Sequence, residues 1–363
     1  MIYVHIGMFK SGSTTVQSFM AEAAELLSAR NVLYPEVGRG KGVAHHALAK
    51  ALDDFSAPNA QAAWREAREF FKVHADSTIV LSSEAFESVN PEKLREALGN
   101  TRTKIICYIR ENTKRLPSAY TQNTKYGLNL ANFDQYFDGI QVTTSPKWGY
   151  SKLLLPWAVA FGPESVRVRS LDPSVLHDSD LIQDFLSTIG LREFDSLQLS
   201  EAAGRLNVSP GWKTIETLRA VHRHLDKRWS VLQRRQNRVV WRYLRSTFDQ
   251  AEMIARDLGW VEQGLYLTRF QNELLVDMHN EEILKLEKLG IDVVMAAITR
   301  DPSLEREFLP DVSHVPPDEV GSFLLQLMPA QMQRLLQLAS AGRARSLRGW
   351  STGSAPAEIT TPR

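Results

Sequence analysis

Hydrophobic positions in the first 190 residues switch repeatedly between unbroken apolar runs and runs at helical spacing. Ile2-Tyr3-Val4-His5-Ile6 is a short, β-branched run of the kind a buried strand requires. Small and polar residues follow from Gly7 to Ser13. From Thr14 onward, Val16, Phe19, Met20, Ala23, Leu26 and Leu27 recur every three or four positions. That is a strand, a loop and a helix. The same reading predicts strands at 32–34, 78–81, 104–109 and 166–169. It predicts helices at about 44–54, 60–75, 91–98, 113–126, 153–161 and 179–189. Strands alternating with helices specify an α/β fold, a doubly wound parallel sheet with flanking helices.

After residue 200 the pattern becomes almost wholly helical, over about 211–226, 230–257, 262–288 and 317–340, with Pro302, Pro310, Pro316 and Pro317 interrupting it. The expected organisation is a core over 1–200 and a mainly helical region over 201–345 that binds an acceptor or forms an oligomer. A disordered tail over 346–363 is expected from its Gly, Ser, Thr, Ala and Pro content.

Composition narrows the function classes. Net charge is +1, so a globally basic nucleic-acid binder is not indicated and no nucleic-acid partner is expected. The single cysteine, Cys107, excludes an intramolecular disulfide and a multi-thiolate zinc cluster. Its neighbours Ile105, Ile106, Tyr108 and Ile109 make it a core thiol. The first residues lack the pattern of a secretory signal, and no run approaches the ~18 apolar residues of a spanning helix. A cytoplasmic protein without transmembrane segments is expected.

Candidate chemistry begins in the loop His5-Ile6-Gly7-Met8-Phe9-Lys10-Ser11-Gly12-Ser13-Thr14-Thr15. Between a strand and a helix, its amides converge on a helix N-terminus that already carries partial positive charge. Gly7 and Gly12 permit a tight path, Lys10 adds a full charge, and hydroxyls stand ready to donate to phosphate oxygens. A nucleotide phosphate fits such a loop. It is not a Walker A motif, because Lys10 precedes Gly12 instead of following it.

This loop resembles the 5′-phosphosulfate loop of sulfotransferases that use 3′-phosphoadenosine 5′-phosphosulfate (PAPS), which share a P-loop-like fold. The resemblance implies that Lys10, Ser11, Gly12, Ser13, Thr14 and Thr15 hold the 5′-phosphate, with Lys10 also neutralising charge at the bridging oxygen. The family places an Arg at the end of a later strand and a Ser about eight residues on, both on the 3′-phosphate. Arg110 and Ser118 match those positions. A guanidinium forks onto a dianionic phosphate, and a hydroxyl adds a donor. Ala119-Tyr120-Thr121-Gln122, Tyr150, Leu154-Leu155-Pro156-Trp157 and Phe161-Gly162 are similar to bacterial carbohydrate-type members. The likeness spans about residues 1–190, with Arg205 to Ser209 a faint echo beyond it.

The resemblance implies transfer of the sulfuryl group of PAPS to a hydroxyl of a carbohydrate or glycoconjugate, with adenosine 3′,5′-bisphosphate as the second product. Such transfer is mostly positioning and charge stabilisation, and the remaining need is a base for the acceptor hydroxyl. Glu84, just beyond strand 78–81, and His45 are the candidates, with His46 behind them. No metal is expected, since Lys10, Arg110 and loop amides supply the positive field. Asp53-Asp54 reads as a solvated helix end and Asp172 as a turn before Pro173.

Arg219, Arg223, Lys227, Arg228, Arg234, Arg235, Arg238, Arg242 and Arg245, with Trp229 and Trp241 between them, form either a solvated helix face or a groove for an anionic acceptor. The rival functions are a P-loop-like kinase using ATP and Mg²⁺ and a non-catalytic nucleotide-binding scaffold.

Overall fold

The computed structural model describes residues 1–8, 10–40, 42–52, 57–145, 148–191, 210–226, 250–260, 262 and 264–327. The expected features at Asp53-Asp54, Arg205 to Ser209, Lys227 through Arg245 with their two tryptophans, and the tail over 346–363 lie outside these residues.

Six strands form one parallel sheet: β1 (Ile2–Ile6), β2 (Val32–Leu33), β3 (Thr78–Ser83), β4 (Thr103–Ile109), β5 (Val166–Ser170) and β6 (Asp292–Val294). Their order is β2-β3-β1-β4-β5-β6, and every neighbouring pair is parallel. Helices α1 (Ser13–Glu22), α2 (Ala24–Ser28), α3 (His46–Ala51), α4 (Pro58–Val73), α5 (Pro91–Leu98), α6 (Asn112–Lys125), α7 (Phe133–Gly139), α8 (Tyr150–Phe161) and α9 (Leu181–Thr188) connect them.

The two-residue period of β1 divides the core. Ile2, Val4 and Ile6 pack in a cluster with Leu48 of α3, Trp64 of α4, Leu94 of α5 and Trp157 of α8. Tyr3 packs on the opposite face with Val16, Phe19 and Met20 of α1 and Phe185 and Leu186 of α9. Both sheet faces are therefore covered, which explains why β1 and β4 read as unbroken apolar runs. The α/β class with helices on both faces is observed. Cys107 is fully buried in β4, and burial pushes its thiol pKa up, as an inert core residue requires.

One buried polar cluster ties this layer together. Asp184 of α9 accepts from the Tyr108 hydroxyl at 2.5 Å and from two guanidinium nitrogens of Arg169 at 2.5 Å each. The His177 amide donates to the same carboxylate at 2.9 Å. Its charge is thus fully hydrogen-bonded although the residue has no exposure. Asp184→Asn keeps the shape and strands Arg169 without its counter-charge, so it is expected to destabilise by about 3 kcal/mol. A denaturant midpoint unchanged from wild type would contradict that account.

Three expectations need correction. The strand β6 falls where only proline-broken sequence was read, and it extends the sheet beyond β5. The helix expected over 262–288 is Arg269–Lys288, because Thr268 and Gln271 close a capping box at its start. The domain boundary at residue 200 is also too simple. One compact unit comprises Met1–Gln122, Ala131–Ser209 and Leu265–Leu309; the other comprises Asn123–Leu130, Pro210–Gly264 and Pro310–Arg363.

The second unit has its own core, in which Trp260 stacks on Phe323 at 4.9 Å among Leu218, Ile254 and Leu327. Arg219 does not belong to a solvated face or a groove. It is buried on the helix Trp212–Asp226, bonded to Glu216 at 2.6 Å and to Asp311 at 2.7 Å. Arg223 is exposed. Among the described residues no helix is long and apolar enough to cross a membrane.

Candidate active site

The order of the strands creates the site. The chain leaves β1 toward β2 and β3 on one side, then crosses over β1 to reach β4 on the other. Ligands of open parallel sheets bind at such a switch, outside the carboxyl ends of the strands. The loop after β1, Glu84 after β3 and Arg110 after β4 all emerge at that edge.

The loop after β1 folds back tightly. The Gly7 amide donates to the Ser83 carbonyl at 3.3 Å, in line with the pairing of Ile6 and Ser83. A Cβ on Gly7 would lie 2.7 Å from the Cβ of Ser13 and 3.1 Å from the Cγ of Glu84, so no side chain fits there. Ser11 closes the turn through its hydroxyl, 2.6 Å from the Met8 carbonyl. Lys10 has φ 67° and Gly12 φ 75°, and two left-handed residues bring the chain onto α1 in a short path. Gly12 is the N-cap and offers no side chain, so the leading amides of α1 have no side-chain cap. Ser11 and Ser13 are buried, Gly12 and Thr15 half-buried, Thr14 exposed.

Arg110 follows β4 directly and is half-buried. Burial lowers its guanidinium pKa, and the adjacent Glu111 opposes that in part. Among the described residues its side chain has no hydrogen bond or ion pair. An anion would supply what burial takes away. Ser118 lies on α6, largely buried, and its carbonyl accepts from Thr121 at 2.9 Å.

The three candidate bases separate clearly. Glu84 opens a short 3-10 helix capped by Ser83. One of its carboxylate oxygens accepts from the Ser13 hydroxyl, and the other lies 3.7 Å from Nε2 of His46. Nδ1 of His46 is 2.7 Å from the Ser83 hydroxyl. The Glu84 and His46 side chains are 34% and 47% exposed, so an acceptor could reach them.

His45 is different and takes a structural place instead of the expected catalytic one. Its Nδ1 accepts from the Ser82 amide at 3.1 Å, which leaves Nε2 to donate to the Pro35 carbonyl at 3.0 Å. The residue has no exposure, and burial lowers its pKa to about 4. Both ring nitrogens are occupied, so no acceptor hydroxyl can use them. Desolvation is the main cause of that low value.

Ser13 and Glu84 are 71 residues apart and touch only because β1 and β3 are neighbours. The sequence marks each separately and gives no signal for the pair. His5, within the apolar run of β1, is a further buried imidazole, 2.8 Å from the Ser82 hydroxyl through Nδ1.

No family model and no solved structure matches the chain. A protein of Archaeoglobus fulgidus named "Uncharacterized protein" is 24% identical over 271 residues, covering 65% of this chain and 72% of its own length.

Proposed function

We propose that the chain is a PAPS-dependent sulfotransferase on a P-loop-like fold, transferring the sulfuryl group to a hydroxyl of a carbohydrate. The observation that carries this reading is the half-buried Arg110 guanidinium, without a hydrogen bond or ion pair among the described residues, across the sheet's switch point from a glycine-turned loop that bears Lys10. Two anion-seeking features on adjacent strands suit a nucleotide with phosphate at both its 5′ and 3′ ends.

In this reading the amides at the start of α1 and the hydroxyl of Thr14 hold the 5′-phosphate, with Lys10 offsetting charge where the bond to the leaving oxygen breaks. Arg110 and Ser118 hold the 3′-phosphate. Glu84, steadied by Ser13 and His46, takes the proton of the acceptor hydroxyl.

Adenosine 3′,5′-bisphosphate without divalent metal is expected to raise Tm by several degrees, since about 100 Kd of a native-state ligand adds about 2.7 kcal/mol. Arg110→Ala should weaken that binding about tenfold or more, because a hydrogen-bonded charge is worth about 1.5–3 kcal/mol. Stabilisation by ATP with Mg²⁺ alone would favour the kinase, and indifference to both nucleotides would remove the reading altogether.

A further inference from the structure

A cleft of about 280 Å³ opens beside the proposed donor site, lined from the segments after β4, β5 and β6. Glu111 reaches it from just before α6 and Lys114 from the first turn of that helix, Asp172 and Ser174 from the turn after β5, and Asp301 from the segment after β6. Asn272, on the helix Arg269–Lys288, lines it as well. All of these belong to one compact unit.

The far wall is irregular in backbone yet firmly built. Residues 296–301 have no helix or strand of their own. One helix holds them through successive side chains: His279 Nε2 meets the Ala296 carbonyl at 3.3 Å, and Asn280 pairs with both the amide and the carbonyl of Ile298 at 2.9 Å each. Asn272 donates to the Asp301 carbonyl at 2.9 Å and to Glu305 at 3.0 Å. Arg300 is pinned to Glu273 and Glu305. A segment with so many side chains devoted to its backbone is a preformed surface, of the kind that ligand sites use.

The chemistry of the lining is one-sided. Three carboxylates face one ammonium, that of Lys114, which is already ion-paired with Glu111. Hydrogen bonds from Ser174 and Ser303 hold the carboxyls of Asp172 and Asp301 below the usual range, so both are ionised at neutral pH. Asn272 adds an independent sign. It is fully buried, its amide nitrogen is spent on the Asp301 carbonyl and Glu305, and its Oδ1 has no hydrogen-bond partner among the described residues. Against these stand Lys114, whose charge also acts on Asp172 and Asp301, and the hydroxyls of Thr113, Ser174 and Thr299, which donate or accept as a ligand requires; the balance of charge is negative.

We infer that this cleft binds a donor-rich ligand, an amine-bearing saccharide with free hydroxyls, and that it rejects uronic or otherwise anionic sugars. As the acceptor subsite of the transferase it rests on the function proposed above; as a binding site it stands without it. An ammonium would sit between Asp172 and Asp301, with hydroxyls toward the remaining acceptors. Phosphates of a nucleotide would meet excess negative charge here, which separates the cleft from the donor loop.

The test is isothermal titration of the full chain with three matched disaccharides: diglucosamine, cellobiose and digalacturonate. Each is run alone and with saturating adenosine 3′,5′-bisphosphate. Diglucosamine should bind about tenfold or more tightly than digalacturonate, and the double variant Asp172→Asn, Asp301→Asn should erase about that factor. Asn retains the oxygen that caps each turn, so the variant's fold is checked by its unchanged bisphosphate binding. Equal or reversed preference, no saccharide binding at millimolar concentration, or a preference untouched in the variant would overturn the inference. Displacement of diglucosamine by the bisphosphate would make the cleft part of the nucleotide site and overturn its acceptor role. Diglucosamine binding with no bisphosphate binding would leave the cleft standing and remove the transferase.

Discussion

Glu84→Gln is expected to lower kcat about 10²–10⁴-fold, the contribution of a positioned general base, while adenosine 3′,5′-bisphosphate binds within about twofold of wild type. The variant isolates proton affinity from shape. Gln retains an oxygen for the Ser13 hydroxyl and fills the same space against Gly7, so the loop has no reason to move. What it loses is the ability to carry the acceptor's proton. The measurement is turnover of labelled PAPS against a panel of hydroxyl-bearing saccharides, with bisphosphate affinity taken in parallel. His46→Asn should fall by a smaller factor, since His46 touches Glu84 only at 3.7 Å and acts on its orientation. Full turnover in Glu84→Gln would make this carboxylate a brace for the loop. Loss of bisphosphate binding with turnover would say the same by another route.

Much of this arrangement is legible in the residues, and the gaps have physical causes. β1, β3 and β4 are legible because a strand covered on both faces must be apolar throughout, and Ile2–Ile6, Thr78–Ser83 and Thr103–Ile109 are buried almost residue for residue. β6 is not legible because an edge strand of one exposed and two half-buried residues imposes no such demand. The start of the helix Arg269–Lys288 could have been found from Thr268 and Gln271, a spacing that needs no tertiary context. The loop and Arg110 carry chemical identity in a local motif. The choice among Glu84, His45 and His46 carries none, since it depends on what lies around each. Tyr34 packs its ring edge-on against His45 at 4.8 Å, and no local pattern announces that neighbour. The Asp184 cluster is hidden for the same reason, its Tyr108 partner being 76 residues away.

The same burial makes the protein sensitive to mild acid. Unfolding is expected to take up about two protons between pH 6.5 and pH 4, from His5 and His45, whose pKa values are lowered from 6.5 to about 4. Burial is the main cause for both. Each has a specific obstacle to charging as well: protonation of His45 at Nδ1 would turn the Ser82 amide's acceptor into a second donor, and His5 Nε2 is buried with no hydrogen-bond partner among the described residues. The sign follows from which state binds the protons. Above pH 6.5 both states are neutral at these sites and stability is complete. As pH falls toward 4 the unfolded chain protonates and the folded one resists, so stability drops by on the order of 3 kcal/mol for each imidazole. Denaturant midpoints taken from pH 7 to 4.5 give the slope directly, and ordinary carboxylates titrate mostly below that window.

His45→Gln should flatten the slope by about one proton, since an amide offers the same acceptor and donor without a charge to gain. A slope unchanged in that variant would dissociate His45 from the effect. The consequence reaches the site, because the Ser82 that binds His45 is followed by Ser83 and Glu84. Acid that expels His45 from beneath the end of β3 would disturb the residues that orient the proposed base. Activity in Glu84-intact protein should therefore fail on the same limb as stability, with His45 acting through the backbone of β3 and never through a proton of its own.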